Sequence, residues 1–352
     1  MMHWGHANAL RQSKALGDYL VVGVHSDAEI LKNKGPPVMT EKERYEAVRA
    51  CKWVDEVVED APYVTQLDVM DKYNCEICVH GDDISTTPDG RDTYELVKAA
   101  GRFRTVPRTV GVSTTQLVGR MLLLTKDHHE KYDNDQSALS VMTQPNLIEM
   151  TEGSKPKQSP YTGVGQYLPT SRRIVQFSSK HEPASTDKIV YIDGTFDLFH
   201  VGHVAILREA KKLGDYLIVG VLPDDVVNQK KGFGWPVMNL HERVLSVLSC
   251  RYADEVIIGA PWSLTEQFIK DQRVDVVARG SINDPAYKVT DDEFSDAFAV
   301  PKKLGILKDI QSPHSITTSD IVQRIIANRA QFVARNTKKE AKEIQDIHKD
   351  KT

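Results

Sequence analysis

Cysteine is scarce in this chain, with Cys51, Cys75, Cys78 and Cys250 the only four in 352 residues. That is too few for a disulfide scaffold. Cys75-Glu76-Ile77-Cys78 has no second Cys/His pair at zinc spacing, so the thiols read as reduced and structural, the pair lying in a strand expected over Glu76–His80. Long apolar runs are lacking too: Tyr19–Val24 and Met121–Leu124 fall far short of the roughly 20 residues that cross a bilayer. Met1–His6 has neither a basic nor an apolar leader segment, and the chain reads as cytoplasmic. Nor is there an excess of one charge: 45 Lys and Arg stand against 49 Asp and Glu, a net charge of −4. This argues against nucleic acid as a partner, while local basic loops can still hold phosphates. What remains, 40% hydrophobic and 27% charged residues, is a globular composition with length enough for two cores.

The chain says one phrase twice. His3-Trp4-Gly5-His6 leads to Gly17-Asp18-Tyr19-Leu20-Val21-Val22-Gly23-Val24, and His200-Val201-Gly202-His203, 197 residues later, leads to Gly214-Asp215-Tyr216-Leu217-Ile218-Val219-Gly220-Val221. With the offset grown to 199, Pro37-Val38-Met39 matches Pro236-Val237-Met238, Glu43-Arg44 matches Glu242-Arg243, Asp55-Glu56-Val57 matches Asp254-Glu255-Val256, and Gly81 matches Gly280. Solenoid repeats are far shorter, so each copy is a domain.

Strand-like Lys188–Asp193, helical Val204–Leu213, strand-like Asp215–Val221, helical His241–Arg251 and two further strands, Ala253–Ile258 and Val274–Ala278, alternate in the second copy. The pattern predicts an α/β fold: two tandem Rossmann-like units, each a parallel sheet with right-handed crossovers. The domain boundaries follow as 1–125, a linker over 126–187 rich in Ser, Thr, Pro, Gln and charge, 188–335, and a tail over 336–352 that is densely charged from Lys338. Within the linker, Arg172–Phe177 alternates like a short strand and is expected to pack on a domain.

In Tyr191-Ile192-Asp193-Gly194-Thr195-Phe196-Asp197-Leu198-Phe199-His200-Val201-Gly202-His203 a strand ends in a glycine turn whose N–H groups can face phosphate oxygens. A His pair then opens a helix whose N-terminus favours anions. Imidazoles there can donate hydrogen bonds to an α-phosphate during in-line displacement; a pair that only caps the helix is the competing reading. Arg108-Thr109-Val110-Gly111-Val112-Ser113-Thr114-Thr115 places hydroxyls and N–H groups at another helix start, suited to β- and γ-phosphates, with plain capping again the alternative. Its counterpart, Ser312-Pro313-His314-Ser315-Ile316-Thr317-Thr318-Ser319, keeps hydroxyls and loses the Arg-Thr-x-Gly lead. Lys34 and Lys231 stand before glycines at matching places in what read as mobile loops, where an ammonium can reach leaving phosphates. His80-Gly81-Asp82-Asp83 reads as a nucleotide-edge turn, changed to Arg279-Gly280-Ser281-Ile282 in the second copy.

With its His-x-Gly-His and Arg-Thr-x-Gly-Val-Ser-Thr-Thr signatures the chain resembles the cytidylyltransferase family in its tandem-domain, ethanolamine-phosphate-specific form, across both copies to about Arg335. The resemblance implies a magnesium–CTP substrate and conversion of CTP and phosphoethanolamine to CDP-ethanolamine and diphosphate in phosphatidylethanolamine synthesis. It also implies a cytoplasmic enzyme, peripheral at the endoplasmic reticulum in one variant, and leaves room for a homodimer. By position His3, His6, Lys34 and Arg108 would be catalytic, while Ser113, Thr114, Thr115 and His80 would bind CTP. His25, Asp27, Trp53, Asp82 and Tyr94 would shape the substrate end. Thr195, Phe196, His200, His203, Lys231, Arg279, Gly280, Ser281, Ile282, Ser315, Ile316, Thr317, Thr318 and Ser319 would form a second cytidine-nucleotide site. No dedicated protein metal site is implied. The choline-phosphate relatives have one catalytic domain and a long amphipathic helix, the reverse of this pattern.

One asymmetry counts against the first copy. His3 opens its helix with no strand and Gly-x-Phe-Asp turn before it, and in a doubly wound sheet that strand is central. The expectation is a weakened first unit, and a nucleotide-binding regulatory role is the alternative to a working enzyme.

Overall fold

The structure, a computed structural model, describes residues 1–82, 86–87, 89–109, 111–123, 169–178 and 181–337. Asp83, Val110, most of the expected linker and the tail from Lys338 lie outside these residues. The first unit runs α1 (Trp4–Lys14), β1 (Val21–Val24), α2 (Asp27–Lys34), α3 (Glu41–Arg49), β2 (Glu56–Glu59), α4 (Leu67–Lys72), β3 (Cys78–Gly81), α5 (Glu95–Ala99), β4 (Phe103–Val106) and α6 (Thr114–Leu123). Helix α7 (Pro169–Phe177) leads into the second: β5 (Ile189–Gly194), α8 (Val201–Lys211), β6 (Tyr216–Val221), α9 (Asp224–Lys231), α10 (Leu240–Leu248), β7 (Glu255–Ile258), α11 (Glu266–Asp271), β8 (Val276–Gly280), α12 (Asp291–Ala297), α13 (Ala299–Lys303), β9 (Leu307–Ile310) and α14 (Thr318–Ala327). Residues 329–337 are helical again.

The second unit carries a five-stranded parallel sheet in the order β7-β6-β5-β8-β9. Its middle strands are apolar on both sides because both faces are covered. Along β5, Ile189 and Tyr191 join one buried cluster, and Val190 and Ile192 join the other. The first unit holds β1 against β2 and β3 against β4 as two separate parallel pairs. Their counterparts β6 and β8 flank β5 in the second sheet; among the described residues no strand pairs with both β1 and β3. The described part of the first unit thus has its four strands in two pairs, where the second unit has one sheet. The difference is visible in burial: all of β6 is buried, while β1 has only Val24 buried.

Two readings of the sequence are corrected. Arg172–Phe177 belongs to helix α7, because Ile174 and Phe177 pack inward at helical spacing while Val175 between them is 73% exposed. Only Cys78 of the cysteine pair lies in a strand, since β3 begins there; all four thiols are free.

The units meet about a pseudo-two-fold axis. Cys51 faces Cys250 in a single antiparallel bridge, with Lys52 N–H on the Ser249 carbonyl at 2.9 Å and Arg251 N–H on the Ala50 carbonyl at 2.8 Å. Arg324 forks onto Glu43 at 2.7 and 2.8 Å, and Arg120 onto Glu242 at 2.7 and 3.2 Å, the same pair of positions in each direction. The main hydrophobic cluster runs unbroken through this contact, from Trp4, Met39 and Leu117 to Leu198, Leu245 and Ile321.

Candidate active site

Helices α1 and α8 start identically. Gly5 N–H donates to His3 Nδ1 at 3.2 Å and His3 N–H to His6 Nδ1 at 3.3 Å; Gly202 and His200 repeat both bonds at 3.2 and 3.3 Å. In each ring Nδ1 accepts, which puts the proton of the neutral imidazole on Nε2. Capping and phosphate contact are thus not alternatives, for the cap uses Nδ1 and leaves Nε2–H as a donor. Burial, followed by the neighbouring His6, holds His3 well below the ordinary imidazole range. Burial likewise lowers His203 and takes His200 to about 3. These rings are neutral donors at neutral pH.

The glycine of each His-x-Gly-His is set by the second signature. A Cβ on Gly5 would lie 2.7 Å from Val112 Cγ1, and one on Gly202 would lie 2.6 Å from the Ile316 carbonyl oxygen. The two motifs of each unit are packed against each other at one helix start, through the Val112 side chain in the first unit and the Ile316 backbone in the second.

In the first unit the structure brings together His3, His6, Arg108, Thr109 and residues 111–115. Arg108 is near enough to be among the causes depressing His3. Arg108 N–H donates to Asp82 at 2.9 Å, Asn8 Nδ2 to Thr109 Oγ1 at 2.9 Å, and Ser113 Oγ caps α6 by accepting from Gln116 N–H at 3.1 Å. Thr115 is buried there. His80, next to last in β3, has its ring 4.7 Å from Tyr94, so the two share a wall beside Asp82. A second group forms at the end of β1, where His25 Nδ1 donates to the Ala61 carbonyl at 2.9 Å and Lys34 lies 5.4 Å over the Tyr63 ring. His25 is depressed by burial, and Lys34 adds to that.

Several assignments change. Lys34 and Lys231 are the last residues of α2 and α9, not members of mobile loops. Asp27 serves the scaffold, taking Arg44 Nη1 at 2.5 Å. Trp53 precedes β2 and stacks edge-on with Phe177 at 4.9 Å. That is the N-terminal end of the strand, whereas ligands of parallel sheets gather at C-terminal ends.

The second unit's site is one continuous cluster. Phe196 and Leu198 hold the glycine turn at φ 51° and 48°. Asp197, wholly buried, clamps that turn by accepting the N–H groups of Val237 at 2.7 Å and Met238 at 2.9 Å. Thr318 Oγ1 bonds the Asp197 carbonyl at 3.0 Å, Phe196 lies 5.3 Å from His203, and Thr195 Oγ1 is 2.6 Å from the Tyr287 hydroxyl. Thr317 caps α14. Lys231 is buried against Asp284 at 3.1 Å, and Asp284 also takes the Ser319 hydroxyl. Arg279 turns instead to Asp309 at 2.6 Å and to the Phe298 ring at 5.4 Å. Ser281 Oγ accepts from Ser312 N–H at 2.9 Å beside Gly280, while Ile282 and Ser315 are exposed.

Four residues that the sequence reading passed over complete the picture. Arg243 is fully buried and donates to the carbonyls of Thr195 and Leu222 at 2.7 Å and to Asp224 at 2.6 Å; Arg44 does the equivalent for His25 and Met39 at 2.6 Å. The repeated Glu-Arg was the available signal, its Glu reaching across the units and its Arg inward. Asp284 and Tyr287 have no counterpart phrase in the first copy and gave none.

Two parallel α/β units, each presenting neutral imidazole donors and a hydroxyl-rich helix start to the strands' C-terminal ends, define a nucleotidyltransferase. Residues 1–120 and 191–324 match the cytidylyltransferase-like family. The chain is 55% identical to ethanolamine-phosphate cytidylyltransferase of Dictyostelium discoideum over 99% of its own length and 94% of the relative's, and 51% identical to that of Mus musculus over 98% and 88%. Choline-phosphate cytidylyltransferase A of Homo sapiens is 39% identical over 48% of the chain and 44% of that protein. The chain therefore belongs to the cytidylyltransferase-like family, in its ethanolamine-phosphate cytidylyltransferase branch.

Proposed function

We propose that this chain transfers a cytidylyl group from CTP to phosphoethanolamine, giving CDP-ethanolamine and diphosphate for phosphatidylethanolamine synthesis. A phosphate oxygen of phosphoethanolamine attacks the α-phosphorus as the bond to the β-phosphate bridging oxygen breaks. The observation that carries the reading is the pair of Nε2–H donors at the start of α1, fixed by caps on Nδ1, with His3 kept neutral by its burial. Such donors strengthen as charge moves onto the non-bridging oxygens. Arg108, with Ser113, Thr114 and Thr115 at the start of α6, holds the outer phosphates; Lys34 reaches them from the His25 side. His80, Tyr94 and Asp82 line the remaining wall.

Magnesium entering with CTP would shield the triphosphate and stay with the leaving diphosphate. Among the described residues no trio of His, Cys, Asp or Glu gathers to hold an ion. No helix among the described residues is long and apolar enough to cross a membrane, in keeping with a cytoplasmic enzyme whose association with the endoplasmic reticulum is at most peripheral. The relatives are named for transfer activity, which favours a working enzyme over a purely regulatory protein.

The test is turnover of CTP with phosphoethanolamine and phosphocholine side by side, followed by His6→Ala. CDP-ethanolamine should form with a clear kcat/KM advantage over CDP-choline, and His6→Ala should lower kcat by roughly a hundredfold or more while CTP binding changes little. Equal use of the two phosphoamines, or an unchanged kcat, would overturn the reading.

A further inference from the structure

The helical stretch 329–337 belongs to the second unit by sequence, yet it leans on elements of the first unit's site. Phe332 is buried in the main hydrophobic cluster, and Arg335 and Asn336 follow it on the same inward face, while Val333 and Thr337 are exposed. Arg335 Nη1 donates to the Pro36 carbonyl at 2.7 Å, just past Lys34. Its stem lies along Gly35, with Cδ and Cγ 3.6 Å from where a Cβ would stand on that glycine. Gly35 sits at φ 80° and caps α2 directly after Lys34. The next residue takes the other side of the site: Asn336, 6% exposed, donates through Nδ2 to the Thr115 carbonyl at 3.1 Å, at the start of α6.

Neither contact is plain attachment of one unit to the other. Attachment of that kind stands beside them, where Arg324 meets a carboxylate, Glu43, through two bonds. Arg335 meets a neutral carbonyl instead; burial depresses its guanidinium, and no carboxylate among the described residues acts on it. Its Nε and the Asn336 Oδ1 are buried without a partner. Both features cost stability, so packing alone would favour an apolar pair here. What a planar, rigid donor supplies is a fixed reach to one backbone point. In the second unit the glycine after the matching lysine, Gly232, is faced by Lys288 of that same unit, whose Nζ lies 2.7 Å from where a Cβ would stand. The first unit takes its cation at this glycine from across the contact.

We propose that Arg335 and Asn336 are positioning residues for the first unit's site: adjacent on one helix, they set the separation between the Lys34–Pro36 turn and the start of α6, so that both sides meet the outer phosphates of CTP at once. The second unit thereby completes the site of the first. This rests on the reading that Lys34 and Ser113, Thr114 and Thr115 hold those phosphates.

The experiment is steady-state kinetics of CDP-ethanolamine formation by the full chain, with product inhibition by diphosphate. The proteins are the wild type, Arg335→Gln, Arg335→Lys, Asn336→Ala, Lys34→Ala and Arg335→Gln/Lys34→Ala, each first shown to be folded by its melting transition. Arg335→Gln should raise KM for CTP and the inhibition constant of diphosphate together, roughly tenfold, the worth of one hydrogen bond to a charged group. KM for phosphoethanolamine should not change. Arg335→Lys, which keeps a donor for the carbonyl, should recover most of the loss, and Asn336→Ala should show the same pattern more weakly. Because Arg335 acts through the turn that carries Lys34, its effect should vanish in the Lys34→Ala background, whereas general loosening of the fold would add to it. If Arg335→Gln does not fold, hydrogen exchange decides: diphosphate with magnesium should slow exchange in 329–337 of the wild type and not of Lys34→Ala. Additive effects of Arg335→Gln and Lys34→Ala, an equal rise in KM for phosphoethanolamine, or exchange in 329–337 indifferent to diphosphate would each overturn the inference alone. A wild type that forms no CDP-ethanolamine, or a Lys34→Ala enzyme with unaltered KM for CTP, would overturn the underlying reading together with it.

Discussion

Hydrogen exchange on the intact chain should separate β1 from β6, although the two strands carry nearly the same residues. The perturbation is already built in, since β6 is zipped to β5 along Ile189–Gly194, while among the described residues β1 pairs with β2 alone. In the second unit β5 buries Ile189, Val190, Tyr191 and Ile192 almost completely. Their burial is worth roughly 1.5–3 kcal/mol each. Ordering the six residues of β5 costs about 1–2 kcal/mol apiece in conformational entropy. These two effects nearly cancel, which leaves the ladder bonds, at about 0.5–1.5 kcal/mol each, as the net gain. A few such bonds give about 3 kcal/mol, or roughly a hundredfold in the opening equilibrium that exchange reports. The amides of Val21–Val24 should therefore exchange at least that much faster than those of Tyr216–Val221, under conditions where opening is at equilibrium. Equal protection of the two strands would refute the reasoning, and would mean that docking on the second unit does all that a central strand does.

Arg243→Met should destabilise the chain by about 3–5 kcal/mol in a denaturant titration, because the carbonyls of Thr195 and Leu222 lose a buried donor; Arg44→Met, on a less buried arginine beside an incomplete sheet, should cost less. Glu43→Gln and Glu242→Gln should each weaken the contact between units by about 1–2 kcal/mol and, being remote images of one another, should add in the double variant; strong non-additivity would contradict two independent pairs. Acid should destabilise the fold: His3, His200 and His203, all depressed by burial, bind no proton when folded but do so when unfolded below their ordinary pKa of about 6.5, so the unfolded state holds more protons and stability falls with pH, by up to about 1.4 kcal/mol per unit for each ring. Asp193, raised by burial to about 7, works the other way between pH 7 and its unfolded value, offsetting one ring of the three. A denaturation midpoint that is flat from pH 7 to pH 5 would contradict this balance.

Much of the fold was legible because its signals are local or repeated. The all-apolar run of β6 could only be a strand buried on both faces, and the repeat carried that assignment to β1. The site was legible where chemistry needs a residue type at fixed spacing, as in His-x-Gly-His. It was illegible where a side chain's role depends on what lies across the fold. Nothing near Trp53 in the chain announces Phe177, and nothing near Lys231 announces Asp284, 53 residues on. Arg172–Phe177 misled because two apolar residues three apart fit a short strand or a helix about equally until a surface chooses between them.

Compared position by position, the two units agree at their contact and differ at their pockets. Glu43 pairs with Arg324 and Glu242 with Arg120, Cys51 meets Cys250, and the backbone bonds on either side of that bridge are each other's image. The pockets diverge at Arg108 and Ser312 and at His80 and Arg279. The physical reason is that each interface residue serves a contact made by both units, so changing one copy leaves its partner's charge half-buried and unpaired, at a cost of several kcal/mol. A pocket residue in one unit has no such partner in the other. The second unit was therefore free to change Arg108 for Ser312 and His80 for Arg279 while keeping the surface on which the first unit packs.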